Sequence, residues 1–124
     1  MLAIDYGYAT TRTGETLQAI RRHAFADPLE APGETDLSAH VDFGDLATAA
    51  RAAGLTVAPL ATQGEFLLRL GIAERAAALA NANPGQKDAI AAALRRLCAP
   101  EEMGTLFKAF CAHSPGLSPA GFAS

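Results

Sequence analysis

Blocks of apolar residues separated by polar punctuation predict the elements of this chain. Leu2-Ala3-Ile4 is a short apolar run that stops at Asp5-Tyr6-Gly7-Tyr8. A continuous apolar run that ends in a polar loop predicts a strand buried on both faces, the kind found in parallel sheets. Residues 9–14 form a polar loop ending in Gly14. Thr16 to His23 alternates only in part and fits a strand or a short helix, with the alternation leaning toward strand. Pro28, Pro32 and Gly33 make Phe25 to Asp36 a loop.

The helices are marked at their ends. Asp42 is a good N-cap, Asp45 places negative charge in the first turn, and Val41 with Leu46 forms a hydrophobic staple. The predicted buried stripe is Leu46, Ala49, Ala50 and Ala53, and Gly54 ends the helix. Leu55 to Leu60 then reads as a strand, which Pro59 confines to an edge or an end. Thr62-Gln63-Gly64-Glu65 is a capping box for a second helix bearing Phe66, Leu67 and Leu70. Gly71 interrupts it, and Ile72 to Leu79 continues as helix. Asn83 before Pro84 predicts an N-cap with proline at the first helical position. The helix beyond carries Ile90, Leu94 and Leu97 on one face and stops before Pro100. Thr105 to Ala112 is the final predicted strand, and residues 114–124, with two prolines and two glycines, are expected to fray as a disordered tail. Strands separated by helical stretches indicate an α/β domain over residues 1–113.

Composition narrows the function classes. Of 124 residues half are apolar and 19% charged, so the chain can bury a core, and its net charge of -3 argues against a nucleic-acid surface. No stretch is apolar and long enough to span a membrane. Cys98 and Cys111 have no metal or redox spacing and read as core thiols in a reducing compartment, taken to be cytoplasmic. No metal site is predicted.

Ala3 to Tyr8 (AIDYGY), Thr16 to His23 with Asp27-Pro28, Pro32-Gly33 and Asp36 to Phe43 (DLSAHVDF) resemble, in that order, the MidA-like class I methyltransferases. Thr62 to Leu67, Gly71-Ile72 and Met103 to Lys108 continue the match. Ser38 stands where threonine is more usual. The family includes the mitochondrial arginine methyltransferase that assists assembly of respiratory complex I. The resemblance implies a doubly wound, Rossmann-like sheet, of which AIDYG is the fifth, central strand. It also implies that the helix from Phe43 crosses to an antiparallel pair, Leu55–Leu60 and Thr105–Ala112. The activity it implies is methyl transfer from S-adenosylmethionine to protein arginine.

A class I enzyme holds that cofactor with a glycine-rich turn and a ribose-binding acid. No two of the 11 glycines here are one residue apart, so no G-x-G is present. This chain is therefore expected to be the C-terminal part of such an enzyme, without the cofactor half, and not to bind S-adenosylmethionine alone. A central strand that starts at Met1 without partners points the same way. A half-sheet leaves apolar surface uncovered, so self-association is expected, and an interaction module that pairs through its sheet edge is the competing reading.

Four residues are candidates for the site. Asp5 ends the first strand, where ligands sit in open α/β sheets, and either orients the acceptor nitrogen or caps its own loop. Tyr6 and Tyr8 either line a substrate pocket for a cationic group or divide between core and surface. His40 precedes a helix and either accepts a proton or serves as a structural hydrogen-bonder. Asp42 is explained by capping, His23 by the loop around Asp27 or by exposure, and His113 has no predicted role.

Overall fold

The computed structural model describes residues 1–10 and 14–122; positions 11–13 of the predicted polar loop and 123–124 of the tail lie outside the described residues. In chain order the elements are β1 (Leu2–Tyr8), β2 (Gln18–Arg21), β3 (Ala24–Phe25), β4 (Asp36–Ser38), β5 (Val41–Asp42), α1 (Phe43–Ala52), β6 (Thr56–Val57), β7 (Ala61–Thr62), α2 (Gln63–Arg69), α3 (Ile72–Ala82), α4 (Lys87–Cys98) and β8 (Phe107–His113).

The main sheet has the order β5-β1-β8-β6, with β7 also on β8. β8 is antiparallel to both β1 and β6, and α1 carries the chain from β5 to β6, with β1 and the reversed β8 between them. This is the α/β arrangement that the resemblance implied. β1 outruns its apolar stretch because backbone pairing extends it. β8 takes Leu2 to Tyr6, in a register that places Asp5 opposite Lys108 and Tyr6 opposite Phe107. β5 then takes Gly7 and Tyr8 in parallel. Gly7 is required there, since any Cβ would strike the Val41 carbonyl and the Phe43 ring.

The core lies on the two faces of this sheet. On one face α1 sets Phe43 against Phe110, stacked at 5.9 Å, with Ala50 and Ala112 beside them. Burying such a ring contributes about 1.5–3 kcal/mol. On the other, Ala61, Phe66 and Ala109 form a second cluster under α2. The Thr62–Glu65 box is local chemistry: Thr62 Oγ1 accepts from the Glu65 amide and Glu65 Oε2 accepts from the Thr62 amide at 3.0 Å.

Several sequence expectations are corrected. β1 is not buried on both faces: Leu2 and Ile4 are 54% and 41% exposed, because α1 covers only the Ala3 side. The buried stripe of α1 is Phe43, Leu46, Ala47 and Ala50, while Ala49 and Ala53 face solvent. The stripe shifts because Phe43, the first residue of the helix, is its main anchor. Leu55–Leu60 is not one strand; only Thr56–Val57 and Ala61–Thr62 pair with β8, on either side of Pro59. Asn83 does not cap: its side chain donates to the Leu79 carbonyl, and Pro84 opens a short 3-10 turn before α4. The Phe25–Asp36 loop is flanked by β3 and β4, which join β2 in a small three-stranded sheet. Its hairpin turns at Arg22 and His23, both with positive φ, the geometry of a two-residue turn usually given to Asn-Gly. In the tail, the Phe122 ring sits 5.1 Å from that of Phe66, an aromatic anchor that proline and glycine content does not reveal.

Candidate functional site

The carboxyl end of β1 gathers three of the four sequence candidates. Side chains alternate along a strand, so Tyr6 and Tyr8 project to one face and Asp5 to the other. Val41 and Asp42 pair beside Gly7 and Tyr8, which brings the preceding residue, His40, over the Tyr face. There the His40 ring meets Tyr6 edge-on at 5.5 Å and lies 6.4 Å from Tyr8. Phe107 closes the back of the group, edge-on to Tyr6 at 5.6 Å. Thr16, in the segment that leads into β2, fixes His40 from behind: the His40 backbone N–H donates to Thr16 Oγ1 at 3.2 Å.

Asp5 is not part of that ring group. Its Oδ1 accepts from the Tyr6 amide at 2.8 Å, a local bond that holds the strand end. Across the sheet its neighbour is Lys108, and beyond that Thr62. Phe107 was missed in the sequence. Only the register of β8 on β1, which the sequence does not carry, sets it opposite Tyr6. Asp42 caps α1 through Oδ1, which accepts from the Asp45 amide at 3.0 Å.

Arranged in this way, the rings offer faces and edges to a flat cation. The Tyr hydroxyls and the imidazole add hydrogen-bonding groups. Two groups elsewhere depart from their ordinary titration. Hydrogen bonds from Thr62 hold the Glu65 carboxyl below its usual value, and burial pushes the Cys98 thiol up. Neither touches the ring group, and no three metal-ligating side chains cluster among the described residues.

Residues 1–61 match the sequence profile of a family described as putative S-adenosyl-L-methionine-dependent methyltransferase. Two solved structures from Burkholderia thailandensis share the fold throughout. One, an uncharacterised protein, superposes with a TM-score of 0.85 at 33% identity, over 98% of this chain and 35% of its own. The other, of the same superfamily, was solved with S-adenosyl-homocysteine bound; the TM-score is 0.81 at 32% identity, over 96% of this chain and 32% of its own. In sequence and in fold the chain matches a part of this methyltransferase family.

Curated relatives agree. The mitochondrial protein arginine methyltransferase NDUFAF7 of Danio rerio is 36% identical over 88% of the chain, and the Drosophila melanogaster homologue is 37% identical over 96%. The chain spans 26% and 27% of their lengths, about a quarter of each. Both relatives are named as mitochondrial, which overturns the cytoplasmic reading. That reading rested on unpaired thiols, and these signify a reducing environment without saying which.

The family's cofactor does not fit the residues present here. Gly7, Gly64 and Gly104, the glycines that permit close backbone approach, are packed against Val41 and the Cys98 carbonyl of this same chain. The cavity at the strand end is lined by no acid that would take ribose hydroxyls.

Proposed function

We propose that this chain forms the acceptor-binding end of an S-adenosylmethionine-dependent methyltransferase that acts on arginine in a protein. The ring group of Tyr6, Tyr8, His40 and Phe107 at the carboxyl end of β1 carries the reading. A guanidinium is planar, permanently charged and weakly hydrated, so it is suited to ring faces. Tyr6 and Tyr8 bind it, and His40 is the group placed to take its proton. The names of the relatives support the choice of arginine, and the resemblance extends it to respiratory complex I assembly. The test is transfer of a labelled methyl group by the complete protein that carries these residues, with mass spectrometry of the acceptor. Methylarginine that disappears in the Tyr6→Ala and Tyr8→Ala proteins is the expected result. Methylation of lysine or of a small molecule would overturn the assignment.

The open edge of β1 favours a second reading. Among the described residues no strand pairs with Leu2 to Tyr6 on the side away from β8, and Leu2 and Ile4 are exposed beside it. In this reading a partner chain, or a second copy, adds a strand there. Light scattering of the purified chain across a concentration series separates the two, since a monomer at every concentration rules out self-pairing.

A further inference from the structure

The end of β1 has a second concavity, on the α1 face. Between α1 and residues 57–60 lies a cavity of about 350 Å³ floored by Phe43 and Phe110, within the size range of ligand pockets. Gly44, Ala47 and Arg51 form its helical wall and Val57 to Leu60 the opposite one. These three helix positions share one face, and the small side chains at Gly44 and Ala47 leave the groove open. From Gly44 to Arg51 the helix rises about 10 Å, the length of about three extended residues.

The groove is lined by apolar residues along its length except at one end. That end carries the Arg51 guanidinium, which pairs with no carboxylate among the described residues. No acid lines the cavity itself, although the chain as a whole is anionic. We infer that this groove holds an extended peptide segment of the protein substrate. An apolar side chain fills the floor and a carboxylate about three residues from the acceptor arginine meets Arg51. The naming of a protein substrate rests on the proposed function; the groove and its charged end do not.

Three short peptides titrated into the isotopically labelled protein test this by NMR: Gly-Arg-Gly-Leu-Glu-Gly, the same with lysine for glutamate, and the same with alanine for arginine. The first should shift the amides of Gly44, Ala47, Val57 and Leu60. Lysine for glutamate should weaken binding by about tenfold, and Arg51→Glu should invert the preference. Ala47→Leu, which fills the groove, should abolish these shifts while thermal unfolding stays cooperative. If the arginine-free peptide still shifts the groove amides while no arginine is ever methylated, the groove stands and the proposed function falls. Equal affinity for the glutamate and lysine peptides, or no shift of those amides at millimolar peptide, would overturn the inference.

Discussion

The imidazole of His40 meets the ring of Tyr6 edge-on, with centroids 5.5 Å apart and planes 73° apart. One ring belongs to the main sheet and the other follows the small sheet, so this contact ties the two together. Edge-to-face pairs contribute about 0.5–1.5 kcal/mol beyond area burial. A double-mutant cycle of Tyr6→Ala and His40→Ala, read by urea unfolding, should return a coupling of that size. Additive effects would mean that the rings touch without stabilising each other.

Gly7 should tolerate no side chain. In Gly7→Ala the new methyl group would strike the Val41 carbonyl and the Phe43 ring, at a cost of about 1–3 kcal/mol. Gly85→Ala is the control, because open space surrounds Gly85. Denaturation midpoints of the two variants should separate clearly.

The Thr62–Glu65 box should make stability depend on acid. Glu65 titrates below its ordinary 4.5 in the folded chain, held there first by the Thr62 backbone and then by its side chain. Its contribution is therefore present above 4.5 and is lost as pH falls through the lowered folded value. Glu65→Gln should be less stable than the parent at neutral pH, and the two should converge in acid. Thr62→Ala should cost about 1 kcal/mol at neutral pH.

Phe122 should matter to α2 in spite of its place in the tail. Its ring lies 5.1 Å from Phe66, which is buried. Phe122→Ala should cost about 0.5–1.5 kcal/mol. Faster amide exchange should follow in α2, while exchange in α1 stays unchanged.

What could be read in the sequence was the chemistry that is local. Asp42 and the Thr62–Glu65 pair cap helices through bonds that span three residues, so their spacing revealed them. The Tyr6–His40–Phe107 meeting depends on strand register and on how the small sheet folds back, and neither leaves a periodic trace. Tyr6, Tyr8 and His40 were singled out one by one, but nothing in their spacing says that they converge. The α1 stripe was displaced for a related reason. Alanine is apolar enough for either side of a helix, and only the aromatic at Phe43 decides which side goes down. Leu55–Leu60 read as one strand ended or edged by Pro59, but which of its residues reach β8 is set by the path of the chain: Thr56–Val57 pair within it and Ala61–Thr62 beyond it.

The position of β8 has a consequence for how the chain acquires its shape. Its partners β1 and β6 both precede it, and it bonds to residues as far back as Leu2. A ribosome feeding out this polypeptide therefore delivers the central strand after its neighbours. Until Phe107 to His113 emerge, Phe43 has no Phe110 to stack on and the first strand no antiparallel mate. Pairing across such sequence separation is slow, and apolar strand edges are exposed while it waits. Early release or a stall before β8 should thus leave a sticky intermediate, the kind of nascent chain that holdase chaperones capture.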